Sequence, residues 1–345
     1  MKNKLKNRSD FFKKLAFTLV IIIIFSGINF LSASEDPGDD FKPGDMILHH
    51  VVDDHIWHFW EGPFGTLYLP VVLYSSDRGM EIFSSSNFYD DHHQLVPYKG
   101  YKVEHSHIVP LDEGRHIQDF SITKNVASMF ISVILLFLVF FNVKRGYVKN
   151  EGKAPKGIQS FFEPIIIFIR DEVARPNIGD KYEKFLPYLL TIFFFIWFNN
   201  LMGLLPGAAN VTGNLAVTGT LAIFTFVVTQ FSGNKHYWKH IFNTPGVPWW
   251  LKIPLPIMPV VELIGVFTKP FSLTVRLFAN ITAGHIIILS LFSLIFIFQS
   301  IWVGPLSVAF AIFMFFLELF VALLQAFIFT ILSAMYFGAA VEEHH

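Results

Sequence analysis

VVELIGVFTKPFSLTVRLFANITAGHIIILSLFSLIFIF, residues 260–298, is an apolar run of some forty residues whose formal charges are Glu262, Lys269 and Arg276. A helix needs about 20 such residues to cross a bilayer, so this run is roughly twice the required length. A second long run follows, from about Val303 to Tyr336. Length in excess of the hydrocarbon core must be absorbed by tilt, bending or a kink. We expect two long antiparallel helices, strongly oblique in the membrane and joined near Gln299 to Gly304. Pro270 is the expected bend point in the first.

The preceding sequence extends the same pattern. VASMFISVILLFLVFFNV, residues 126–143, is the first expected span. It ends in a loop with Lys144, Arg145, Lys149, Lys153 and Lys156, which the positive-inside rule places in the cytoplasm. Residues 158–179 are amphipathic and too charged to span, and read as a helix lying at the cytoplasmic interface. FLPYLLTIFFFIWFNNLMGLLPG, 185–207, is the second span, and the third runs from about Asn214 to Phe231. NKHYWKH, with Lys235 and Lys239, then marks a second cytoplasmic return. The Pro- and Trp-rich PWWLKIPLPIMP suits an interface. Five crossings from outside put the C-terminal VEEHH in the cytoplasm.

Composition agrees. The 345 residues are 53% hydrophobic and 15% charged, too apolar for a soluble chain of this size. The 41 phenylalanines suit surfaces facing lipid. A net charge of -1 gives no field that would gather nucleic acid. The absence of cysteine excludes thiol catalysis, cysteine metal sites and disulfides.

The first 34 residues have a basic start, an apolar core and small residues at Ser32 and Ser34. They read as a signal peptide cleaved before Glu35, with a retained anchor helix as the alternative. Residues 35–120 are polar and hold nine of the fourteen histidines. HHVVDDHIWHFW and YDDHHQL resemble metal sites in composition, but His55 and His58 lie three apart without a compact third ligand. A small extracytoplasmic domain with surface histidines is the simpler reading, and LYLPVVLY suggests some β-structure in it. The expected architecture is an all-α integral membrane protein with five membrane-embedded helical units in 121–345, plus this outer extension.

Within the last two units the polar groups are few: Lys269, Ser272, Arg276, Asn280, His285, Glu318 and Gln325. At about 100° per residue, Ser272, Arg276 and Asn280 share one helix face at i, i+4 and i+8. His285, nine positions past Arg276, faces nearly the opposite way. Glu318 and Gln325, seven apart, share a face. If the helices are antiparallel with Gln325 level with Arg276, then Glu318 lies close to the level of His285. A buried, water-reachable His and Glu can pass a proton. Arg276 keeps its proton and can only attract anions or repel cations. Glu262 is about four turns from it, and Glu318 is better placed for His285. The alternatives are a structural network holding helices together, or a counter-charge supplied by another subunit.

LTVRLFANITAGH, LLQAFIFTILSAMY and NNLMGLLPG resemble the signatures of subunit a of F-type ATP synthases. The resemblance covers about residues 115–345, including the order and spacing of all five spans. It implies that Arg276 is the stator arginine facing the carboxylate of the c-ring, with Gln325 beside it. It implies that His285 and Glu318 line a proton half-channel, and that Asn214, in VTGNLAVTG, lines the way in. Lys269, Ser272 and Asn280, polar groups of the same two units, are expected to belong to the same proton-translocating set.

It further implies partnership with the c-ring, the subunit b peripheral stalk and the lipid bilayer of a bacterial inner membrane. No cofactor is implied. In many bacterial members glutamate precedes and histidine follows; here the types are exchanged, as in mitochondrial members. Ala279 stands where many members carry glycine. The outer segment is absent from compact members, and wetting or gathering protons at the channel mouth is a candidate role for it. The rival reading is a secondary transporter of an anionic solute, which would need paired repeats or broken helices in two halves.

Overall fold

The last two long helices hold the structure's polar axis. They are α7 (Ile257–Phe298) and α8 (Val303–Val341). The structure is a computed structural model and describes residues 44, 52–58, 65–90, 94–104, 106–112, 114–205, 209–242, 257–298 and 303–342. The expected signal peptide and the Pro/Trp-rich loop before α7 lie outside these residues. Among the described residues, five helical stretches are long and apolar enough to cross a membrane. The chain divides into two units: residues 1–127, 203–209 and 286–316 form one, and 128–202, 210–285 and 317–345 the other.

The first unit contains the N-terminal extension. Among its described residues are seven short strands: β1 (Ile56–His58), β2 (Thr66–Tyr68), β3 (Pro70–Ser75), β4 (Gly79–Ser84), β5 (Tyr101–Glu104), β6 (His107–Pro110) and β7 (Ile117–Asp119). β3 sits between β4 and β7, antiparallel to both, with Val71 opposite Phe83 and Tyr74 opposite Gln118. The alternation in LYLPVVLY sends Val71 and Leu73 inward, where they bury with Phe88, Tyr101 and Ile108. Gly79, at φ 73°, closes the β3–β4 turn in a conformation that favours glycine.

The extension is therefore more extensively β than the sequence suggested. Among the described residues no group of three or more His, Asp, Glu or Cys is placed to hold a metal. His49, His50, His92, His93 and His105 lie outside the described residues. His55 is buried, with Nε2 3.5 Å from Asp119 Oδ2.

The second unit is built on helices. α1 (Lys124–Lys149) enters it at Ser128. It leaves Phe130, Ile134, Phe137, Leu138 and Phe141 exposed, an outward apolar face that suits lipid rather than water. Its far end closes on α2 (Ile158–Phe168): Gly146 lies against the Gln159 side chain, and Asn150 Nδ2 donates to Gln159 Oε1 over 2.9 Å.

The 158–179 segment departs from the single interfacial helix expected. α2 passes into a wide π turn, Ile169–Ala174, then α3 (Arg175–Ile178), and Gly179 at φ 72° ends the run. Its inner face, Phe162, Ile169, Val173, Ala174 and Ile178, enters the hydrophobic core, while Ile158, Phe161 and Phe168 stay exposed. With α4 (Tyr182–Gly203) it makes one apolar stretch of 46 residues. Phenylalanines serve inside as well as outside: Phe185 stacks on Phe337 at 4.9 Å and Phe140 meets Phe194 edge-on at 4.7 Å.

α5 (Leu215–Ser232) follows a short 3-10 turn, and α6 (Lys235–Phe242) completes the return. Asn234 ties this return to the end of α8: its N–H donates to Ala340 O and its Nδ2 to Glu342 O. Gly338, on the same turn of α8, meets the backbone carbonyl of Asn177, a closeness that excludes any side chain. α7 runs through Pro270 as one helix.

Candidate functional site

Two contacts set the register of α7 against α8. Near one end, Lys269 Nζ lies 5.2 Å from the centre of the Tyr336 ring. Further along, the Glu318 carboxyl occupies the space that a side chain on Gly284 would fill. Lys269 to Gly284 is fifteen residues forward, and Tyr336 to Glu318 is eighteen back, so the helices run antiparallel. Fifteen residues span about 22 Å. Arg276 lies between the two levels, about 10 Å from Lys269 and about 12 Å from Gly284 along the axis.

The polar groups of this axis differ sharply in burial. Glu318 and Gln325 are buried, at 6% and 4% exposure, while Arg276 and Asn280 are exposed and Ser272 is half-buried. Ser272, Arg276 and Asn280 thus line an outward face of α7. Among the described residues no carboxylate forms an ion pair with Arg276. His285 is half-buried and adjoins Gly284, so it stands at the level of the Glu318 carboxyl. Glu318 Oε2 and Thr282 Oγ1 are buried without a hydrogen-bond partner among the described residues.

Gly284 is what allows the carboxyl to reach this level. The glycine removes the atom that would collide with it, and the Glu318 side chain takes that space. In sequence Gly284 lies inside ITAGH, where a glycine reads as an unremarkable small residue.

Asn214 is placed as a helix cap. Its Oδ1 accepts from Ala216 N over 2.9 Å and its carbonyl accepts from the Thr218 hydroxyl, which closes the start of α5. The polar framework nearer Glu318 is instead built from Asn200, one residue of the NNLMGLLPG signature. Asn200 Nδ2 donates to the Ala322 carbonyl over 3.1 Å, and its Oδ1 accepts from Thr212 over 2.6 Å. Ala322 lies one turn from Glu318 and three residues before Gln325, so Asn200 fastens α8 between them. Asn199 beside it has a buried Oδ1 with no partner among the described residues. Adjacent asparagines inside an apolar span were the available signal, since polar groups there are costly unless they serve a purpose.

On the Lys269 side a narrow cavity opens between α5, α7 and α8. Its polar lining is Thr225, Thr229, Gln230, Lys269 and Tyr336. The buried face of α5 is Thr218, Ala222, Thr225 and Thr229, a row of small and hydroxyl side chains. Thr225 shares a 2.9 Å hydrogen bond with the Tyr188 hydroxyl, and Gln230 Nε2 donates to Tyr237 over 3.1 Å. Burial holds the Tyr237 phenol above its usual range, so it stays a neutral hydroxyl beside Gln230.

The arrangement sets two separated polar levels along α7, Lys269 with Tyr336 and Gly284 with Glu318, with the fixed cation Arg276 between them. The ATP synthase A chain family model matches residues 126–338, and a second, Domain of unknown function (DUF8433), matches 46–129. The chain is 44% identical to "ATP synthase subunit a 2" of Chlorobaculum tepidum, over 88% of this chain and 74% of that protein. It is 43% identical to "ATP synthase subunit a" of Chloroherpeton thalassium, over 86% of this chain and 77% of that protein. It is 38% identical to "ATP synthase subunit a" of an Anaeromyxobacter species, over 91% and 74% respectively. With five helices fit to cross a bilayer and these matches over most of its length, the chain is a multi-pass membrane protein belonging to the ATP synthase A chain family.

Proposed function

We propose that this chain is the non-catalytic stator subunit that carries protons to and from the c-ring of a rotary ATP synthase. The observation that supports it is the exposed Arg276, without an ion-pair partner among the described residues, standing between the Gly284/Glu318 level and the Lys269/Tyr336 level. Residues 1–34 serve as a signal peptide, 35–120 stand outside, and 121–345 form the membrane domain. The chain lies in a bacterial inner membrane with its C-terminus cytoplasmic, held by the subunit b peripheral stalk.

A proton from outside passes the region of Asn214, His285 and Glu318 and neutralises a carboxylate of the ring. The neutral form enters lipid cheaply, whereas the ionised form is far costlier to bury. After rotation the carboxyl meets Arg276, whose charge favours the ionised form and so releases the proton. Release is toward the cytoplasm, past Lys269, Gln325 and the hydroxyls of α5 and α8. Ser272 and Asn280 flank Arg276 on the ring-facing side. Because Arg276 holds its own proton throughout, it also blocks direct leakage between the two half-channels.

The test is Arg276→Ala in the assembled complex, with ATP-driven proton pumping measured in inverted vesicles. Loss of pumping with normal assembly is expected, and retained pumping sinks the reading. Loss of anionic solute uptake with intact pumping would favour the transporter instead.

A further inference from the structure

The first unit contains a second mechanical arrangement, remote in sequence from the α7–α8 axis. The start of α1 is held by a carboxylate some seventy residues upstream. Asp53 Oδ1 accepts from Asn125 N over 3.1 Å and Oδ2 from the Thr123 hydroxyl over 2.8 Å. Lys124 N donates to the Asp54 carbonyl over 2.8 Å. A helix start has free N–H groups and a positive dipole end, so an acidic cap there grips as well as satisfies.

The same part of the extension holds a second element. Trp57 of β1 and Leu69, between β2 and β3, bury together with Ala209, which has 0% exposure, and Ala127 of α1 packs against them. Ala209 belongs to LLPGAANVTGN, residues 204–214, a connection of mostly small residues with few large side chains to anchor itself. Among the described residues, Trp57 and Leu69 of the extension are the large side chains buried with it. Directly after Ala209 come Asn210, whose Oδ1 accepts from Gly213 N, and Asn214, the cap of α5. His55 stands between these contacts, buried and facing Asp119 of β7, so the grip is tied into the sheet.

We propose that the extension is a clamp. It holds the start of α1 with Asp53 and, in the α4–α5 connection, Ala209 with Trp57 and Leu69, and so pins the chain immediately before Asn210. The clamp's consequence for proton uptake rests on the function proposed above; the clamp itself does not.

The chain lacks cysteine, which makes a direct test clean. A cysteine is placed by Ala209→Cys in the full chain within its complex, and an impermeant maleimide is applied from the extension's side. With the extension intact, Cys labelling is slow. With Trp57→Ala and Leu69→Ala together it rises at least about tenfold, as local opening exposes the site. Equal labelling in both overturns the clamp. Should Ala209→Cys fail to assemble, Ala127→Cys reports on the same contact with the same two outcomes. In a second arm, the released variant is expected to lose at least half of its proton uptake rate at normal assembly. Unchanged uptake with fast labelling overturns the role in uptake. Arg276→Ala runs alongside: if it pumps normally, the proposed function fails while the labelling result stands.

Discussion

Replacing Gly284 by alanine adds one methyl group at the place where α7 and α8 meet over Glu318. That methyl would overlap the Glu318 Oε1 and lie 2.8 Å from Cδ and 3.0 Å from Cγ. Comfortable carbon contacts are about 3.5–4.0 Å, so the carboxyl must retreat by roughly 1 Å or the helices must part. Overpacking of this kind costs about 1–3 kcal/mol. If the whole cost falls on the working position of Glu318, proton transfer slows between about fivefold and about a hundredfold. The assay is ATP-driven pumping in inverted vesicles, together with passive proton flow through the membrane sector and a measure of assembled complex. The displacement account makes a second demand. Glu318→Asp shortens the side chain by one methylene, so the double variant should be less impaired than the two single losses combined. Wild-type pumping by Gly284→Ala, or strictly additive losses in the double variant, would refute the reasoning.

Other perturbations follow from the same geometry. Asn200→Ala removes the bond to the Ala322 carbonyl and leaves Thr212 without its acceptor. It should cost about 1–3 kcal/mol of stability, read as earlier thermal unfolding in detergent. Asn214→Ala, which loses a helix cap, should cost about 1 kcal/mol of stability by the same measurement. Gly338→Ala places a methyl on the Asn177 backbone, whereas Gly219→Ala meets only Thr274 Cγ2 at 3.8 Å. The first should impair assembly, judged by yield of intact complex, while the second should be neutral. In the extension, burial pushes the Asp119 carboxyl up, but hydrogen bonds from His55 and Ser121 outweigh this and hold it below the usual range. A lowered folded-state value stabilises above the ordinary Asp range, and the contribution is lost as pH falls below about 4. Proteolysis of the extension in the assembled complex should therefore accelerate at acid pH, and Asp119→Asn should flatten that dependence.

Much of the fold was legible because a bilayer constrains sequence locally. Long apolar runs, basic loops and the alternation in LYLPVVLY each act over a few turns or strands, and the structure carries five apolar helices and a β-rich extension accordingly. Arg276 with Ser272 and Asn280 on one face follows from helical period alone, as does the shared face of Glu318 and Gln325. The antiparallel register was also within reach, because few polar residues exist to be matched across α7 and α8.

Tertiary contact decided the rest. Nothing local marks Gly284 as the slot for a carboxyl on α8, or Asn200 as a fastening for a carbonyl 122 residues away. The interfacial helix expected at 158–179 became a helix broken by a π turn, because burying Ile169, Val173 and Ala174 together required a wider turn than its amphipathic pattern revealed. Asp53 became a cap for a helix that begins some seventy residues later. Periodicity in a sequence reports which way a side chain faces along its own element. What it meets there depends on how closely two backbones approach, and that is set by residues far apart in the chain.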